Sequence, residues 1–94
     1  MISREGNRCT LSGPVTIKNA ASVLAEGATL FDSGDVTLDL SRVTEVDSAA
    51  VSLLLEWRRA AQRRSRRIDF VNLPENLQSL AQLYGVADLL GAGR

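Results

Sequence analysis

Three short stretches of the chain alternate apolar and polar residues, and that period of two constrains the fold more than any other feature. Val36, Leu38 and Leu40 alternate with Thr37, Asp39 and Ser41. Between Arg8 and Ser12, Cys9 and Leu11 face one way and Thr10 and Ser12 the other, and Ile68 to Asn72 is a third such stretch. A period of two reads as a strand with one buried face and one wetter face. Helices on both sides of a sheet would call for unbroken Val/Ile/Leu runs instead. The expected architecture is α+β, a two-layer domain with helices packed on one face of a mixed β-sheet. Its 94 residues suit one domain, 1–94, with a single core. Aromatics make up only 4% of the chain, so that core must be aliphatic.

Between the strands lie stretches of helical spacing. Gly13-Pro14 is expected to punctuate the first strand, with Val15 as a short continuation and Thr16 capping a helix. Ile17, Ala20, Ala21, Leu24, Ala28 and Phe31 follow at helical spacing, up to a stop at Ser33-Gly34. After the Val36 strand, Arg42 to Val46 reads as a loop, and a helix runs from Asp47 or Ser48 to about Arg64. The Val36 strand, this helix and the Ile68 strand are expected to form one βαβ crossover. Pro74 and Glu75 suit a helix start, and Leu77, Leu80, Ala81 and Tyr84 its apolar face. Gly85 suits its left-handed cap. Val86 to Leu90 reads as a last helical turn or an edge strand, and Gly91 to Arg94 as a frayed end.

The segment from Thr44 to Trp57 carries the functional information. Asp47 and Ser48 are both good N-cap residues, so either can close the helix. An exposed Ser48 would stand where free N–H groups and the helix dipole favour an anion such as a phosphate. On a helical wheel, the apolar arc through Ala49, Leu53, Trp57, Ala50, Ala61, Leu54, Val51 and Leu55 spans roughly 240°. A helix facing one layer needs little more than ~100°. Val51, Leu54 and Leu55 can cover the sheet. Ala49, Ala50, Leu53 and Trp57 then need a second cover, either neighbouring helices or a partner protein for which Trp57 would be an anchor.

Composition removes most chemistry. The chain has no histidine, one lysine (Lys18) and one cysteine (Cys9), so Ser-His, Cys-His and Cys/His-zinc sites are all excluded, as is an intrachain disulfide. Asp39, Glu45 and Asp47 are the nearest thing to a metal set, but Asp39 belongs to the wet side of its strand. No metal, no cofactor and no catalytic residue is expected. Formal net charge is zero, which argues against a dedicated nucleic-acid binder. Arg58, Arg59, Arg63, Arg64, Arg66 and Arg67 form a basic run that looks like a nucleic-acid or lipid-headgroup patch, but the stronger reading is a solvated face that offsets the helix C-terminus, without interleaved aromatics for base stacking. The first residues lack the apolar run of a signal peptide, and no stretch approaches the ~20 apolar residues of a membrane span. A cytoplasmic protein is the expectation.

The stretch Val36 to Val51 resembles the STAS domain, the fold of anti-sigma factor antagonists and of sulfate-transporter tails. Its carriers are Asp39-Leu40-Ser41 at a strand end, the following loop, then Asp47-Ser48 and the small pair Ala49-Ala50. Leu11-Ser12-Gly13 looks like the family's first strand ending, and Leu80 to Val86 like its third helix and exit. In the sigma-regulating antagonists the phosphorylated serine is the second residue after the loop aspartate. Here that residue is Ala49, which has no hydroxyl, and the following glycine is Ala50. In MlaB-type subunits a serine or threonine directly follows the aspartate, as Ser48 follows Asp47. The resemblance therefore implies a non-enzymatic accessory subunit that binds the ATPase of an ABC phospholipid transporter. Such a subunit supports assembly and activity in outer-membrane lipid asymmetry, and sits peripherally at the inner membrane through the complex alone. The resemblance and the helical wheel together give the expected partner-binding residues Thr44, Glu45, Asp47, Ser48, Ala49, Ala50, Leu53 and Trp57. The alternative implication is an antagonist in a partner-switching cascade, with Ser48 as phosphoacceptor.

Overall fold

A computed structural model describes residues 1–32 and 34–91. The element order is β1 (Ile2–Glu5), β2 (Arg8–Val15), α1 (Ala20–Glu26) with a 3-10 turn at Gly27–Thr29, and β3 (Val36–Val46). It continues with α2 (Ser48–Arg63), β4 (Ile68–Val71), α3 (Glu75–Leu83) and a 3-10 turn at Ala87–Leu90. The sheet order is β1-β2-β3-β4, with β1 antiparallel to β2 and the β2/β3 and β3/β4 pairs parallel. It is a mixed sheet in an α+β domain, as the alternation implies. Cys9, Leu38 and Phe70 lie side by side in register and are all buried. On the opposite face Thr10, Asp39 and Val71 are aligned and only half-buried. Arg8 Nη2 donates to Asp39 Oδ2 on that wet face at 2.8 Å.

Several boundaries differ from the sequence reading, each for a local reason. Gly13-Pro14 does not end β2. Gly13 takes φ +86° at a register shift, and Pro14 falls beyond the last residue that β1 pairs, Leu11, so no partner on that side asks for its missing N–H. Arg42 to Val46 is not a loop but the end of β3. Twice, two residues of β2 span three of β3, first between Thr10↔Asp39 and Ser12↔Arg42, then between Gly13↔Val43 and Val15↔Val46. These bulges break the alternation after Leu40, which is why it reads as a loop. At the first, Asp39 Oδ1 accepts from the Ser41 N–H at 2.9 Å. The residues Ile2 to Glu5, unassigned by the sequence reading, form one of the two edge strands, β4 being the other.

The first helix is shorter than expected. Thr16 does not cap it. Thr16 lies in a turn whose Oγ1 accepts from the Lys18 N–H, while Asn19 Oδ1 accepts from the Thr16 N–H and its amide donates to the Pro14 carbonyl. Helix starts at Ala20, and Ser33 of the expected stop lies outside the described residues, as do 92–94 of the expected frayed end. The face turned to the core is Val23, Gly27, Leu30 and Phe31. The Ile17, Ala21, Leu24 and Ala28 row instead points outward.

Helix α2 is the centre of the helical layer. Leu11, Val15, Leu40 and Val43 of the sheet meet Ala50 and Leu54 of α2 and Leu77 of α3. Its other flank lies under the 3-10 turn at Gly27. A Cβ built on Gly27 would stand 2.6 Å from Cε2, Cζ2 and Nε1 of Trp57, so glycine is required there for space, at an ordinary φ of −84°. At the C-terminus of α3, Gly85 adopts φ +70°, the left-handed conformation expected of it. The Val86–Leu90 tail closes as a 3-10 turn and buries Leu90.

Candidate functional site

The end of β3 delivers Asp47 to the top of α2. Asp47 is the N-cap, with Oδ1 accepting from the Ala49 N–H at 2.9 Å and Oδ2 from the Ile17 N–H at 3.0 Å. One carboxylate thus closes the helix and ties the turn before α1 to it. This resolves the choice between the two capping candidates and assigns Asp47 a structural load. Ser48 is the first helical residue, and its side chain is exposed rather than spent on the cap. Ala49 beside it is half-buried.

Around this point the surface is mixed. Thr44 and Glu45 are exposed on the last residues of β3, and the Thr44 carbonyl accepts from the Asn76 amide of α3 at 3.2 Å. On the other flank a shallow groove of ≈ 480 Å³ runs between α1 and α2, lined by Ile17, Ala20 and Leu24 on one side and Ser48, Ala49 and Ser52 on the other. Ile17 is 79% exposed and Leu24 37%. Glu56 stands at the groove's far end, accepting from Arg63 at 3.0 Å and Arg59 at 3.3 Å, and those partners hold its carboxyl below the usual range. Small side chains and two bare aliphatic ones make this an apolar patch rimmed by charge, the usual composition of an interaction surface.

Three expected partner residues are buried, although Leu53 still lines the floor of the α1–α2 groove. Ala50, Leu53 and Trp57 belong to the core, with Trp57 2% exposed. The second cover that the wide apolar arc demands is supplied within the chain, by α1 and the turn at Gly27. The contribution of Ile17 and Leu24 was missed because helical spacing reports that a face is apolar, not which way it turns. The signal available was the small size of Ala20, Ala21 and Ala28, which suits shallow packing.

Asp47 has both oxygens engaged by backbone N–H groups, so its carboxylate is committed to the cap and the Ile17 turn. Among the described residues no group of three or more Cys, Asp or Glu could hold a metal. The thiol of Cys9 is buried in the sheet, and burial pushes its pKa up, away from the reactive thiolate. Asp39 is the most perturbed carboxylate. The Ser41 N–H and hydroxyl, and then Arg8 and Asn72, hold it well below the usual range, on the wet face away from the α2 N-terminus. No helix among the described residues is long and apolar enough to cross a membrane.

Comparison with known proteins places this geometry. The anti-sigma factor antagonist SpoIIAA, in its unphosphorylated form, is similar over 94% of this chain and 82% of its own, with a TM-score of 0.74 at 16% identity. The crystal structure of Mglu is similar over 82% of this chain at 29% identity and a TM-score of 0.63, but this chain spans only 20% of that one. No curated protein matches. The family model described as "Mlab, STAS domain" matches residues 2–91, nearly the whole length. The chain belongs to the MlaB-type STAS-domain family.

Proposed function

We propose that the chain is a non-enzymatic accessory subunit that docks on the ATPase of an ABC phospholipid transporter. In that role it supports assembly and activity of a complex that maintains outer-membrane lipid asymmetry. It is cytoplasmic and meets the inner membrane through the transporter alone. The observation that carries the reading is the outward-turned apolar row of Ile17 and Leu24 beside the exposed Ser48 and half-buried Ala49. The family match supports the choice of partner. The docking surface is Thr44, Glu45, Ser48 and Ala49 with the α1–α2 groove, and Asp47 shapes it from beneath. Small side chains at Ala49 and Ala20 let a partner backbone approach closely.

A second reading is a partner-switching antagonist phosphorylated on Ser48, favoured by the exposure of that hydroxyl at the positive end of α2. Two measurements separate them. Co-expression with the ABC ATPase and permease of its own gene neighbourhood yields a stable complex under the first reading. Incubation with a candidate serine kinase and ATP yields a phosphoprotein, lost in Ser48→Ala, under the second. Failure to co-purify with the ATPase, together with stoichiometric phosphorylation of Ser48, would overturn the first.

A further inference from the structure

The six arginines between Arg58 and Arg67 are not equivalent once folded. Arg59 and Arg63 share Glu56, at 3.3 and 3.0 Å. Arg64 pairs with Asp32 at 2.7 Å, and Arg67 with Asp69 at 3.6 Å. Arg58 and Arg66 have no carboxylate within 4.0 Å among the described residues. Both of these unpaired guanidiniums line the same cleft, of ≈ 240 Å³, between the second half of α2, β4 and the Ala87–Leu90 turn. Arg67 lines it too, and Ala61, Phe70 and Leu90 contribute apolar walls. Two carboxylates share the cleft. Asp69 is engaged by Arg67, and Asp88 engages no arginine. The helix dipole does not account for Arg58, which sits before the last turn of α2, nor for Arg66, which lies past its end.

A guanidinium is a rigid fork of donors matched to the oxygens of phosphate and carboxylate, and an apolar wall strengthens such bonds. The volume lies below the ~300 Å³ at which drug-sized pockets begin, which suits a headgroup-sized ligand. We propose that this cleft binds a phosphate-bearing anion, either a free phosphate compound or a phospholipid headgroup, with Arg58 and Arg66 as its direct ligands and Arg67 beside them. The site is separate from the α2 N-terminal surface, since its nearest helical ligand, Arg58, lies about 15 Å from Ser48 along a helix rising 1.5 Å per residue.

The test is calorimetric titration of the full chain with pyrophosphate, and co-sedimentation with phosphatidylglycerol vesicles as the headgroup arm. The proposal expects the wild-type chain to bind at least one probe with Kd of about 1 mM or tighter. Arg58→Gln/Arg66→Gln weakens that binding at least about tenfold, about 1.4 kcal/mol. Arg63→Gln/Arg64→Gln, with the same loss of charge outside the cleft, changes it less than about twofold, well under that tenfold step. Arg58→Lys/Arg66→Lys keeps the charge but not the fork and falls between the two, which also guards against a folding effect of Gln. Binding of pyrophosphate assigns a free phosphate compound, and binding of vesicles alone assigns the headgroup. No binding of either probe, or equal weakening by the control pair, overturns the site.

Discussion

Gly27 and Trp57 make a lock whose failure is quantitative. Trp57 is 2% exposed in the core between α1, its 3-10 turn and α2, and its ring occupies the space a Gly27 side chain would need. Trp57→Ala is expected to cost ~3–5 kcal/mol through lost burial and the cavity left behind. At about 4–8 °C per kcal/mol for a domain of this size, the melting temperature should fall by about 12–40 °C. Trp57→Phe should cost less than half as much. It keeps most of the ring and removes Nε1, a buried donor with no hydrogen-bond partner. Gly27→Ala in the wild-type chain should cost ~1–3 kcal/mol, since a Cβ 2.6 Å from Cε2, Cζ2 and Nε1 forces the indole aside. In the Trp57→Phe background the same change meets a smaller ring, and at φ −84° alanine even gains from a less free unfolded chain. The double-mutant cycle, measured by urea melts of the isolated chain, should therefore show a coupling of at least ~1 kcal/mol, above the ~0.3–0.5 kcal/mol scatter of independent sites. Equal costs of Gly27→Ala in both backgrounds would refute the lock. A fall of only a few degrees for Trp57→Ala would return Trp57 to the surface.

Asp47→Ala removes the α2 cap and the acceptor for Ile17 N–H together and should cost ~1–3 kcal/mol in chemical denaturation, with Asp47→Asn milder because an amide oxygen remains. Asp39 has its folded pKa depressed by Ser41 first and Arg8 later, so its contribution is present above the unfolded value of about 4 and is lost as pH falls through the lower folded value. Asp39→Asn should therefore lower the melting temperature at pH 7, and the gap to wild type should close progressively below about pH 4. Cys9 should resist a thiol reagent in the native chain and react at the rate of a free thiol in urea, because it is fully buried and its pKa is raised.

The sheet was legible because Val36-Leu38-Leu40 and Cys9-Leu11 put a period of two directly into the chain, and α2 because its apolar arc is long and capped. The end of β3 was hidden by two bulges, which are set by pairing with β2 and leave no local pattern between Ser41 and Val46. The orientation of α1 was hidden for a related reason. Its apolar residues lie on both flanks, and tertiary packing, with Gly27 close against Trp57, sets Val23 and Leu30 inward and Ile17 and Leu24 outward. The start of α2 was legible through Asp47-Ser48, which the structure shows as the cap and the first helical residue. The burial of Leu53 and Trp57 was not, since they are covered within the chain by a helix whose facing no spacing rule sets. The basic run was visible as a run, but the sorting of its arginines depends on Asp32 and Asp69, which lie on other elements.

The central claim is that the α2 N-terminus and the adjoining groove dock on an ABC ATPase, and dissociation kinetics from the immobilised ATPase test it most directly. Ser48→Asp adds an acid to a first helical turn that has none, so the isolated chain should stay within about 0.5 kcal/mol of wild type. Ile17→Asp places a carboxylate on an exposed turn and should be equally well folded. In the complex each would bury an unpaired carboxylate, so both should speed dissociation at least about tenfold. Ser48→Thr and Arg63→Gln should leave it unchanged. Wild-type dissociation rates for correctly folded Ser48→Asp and Ile17→Asp chains would contradict the account.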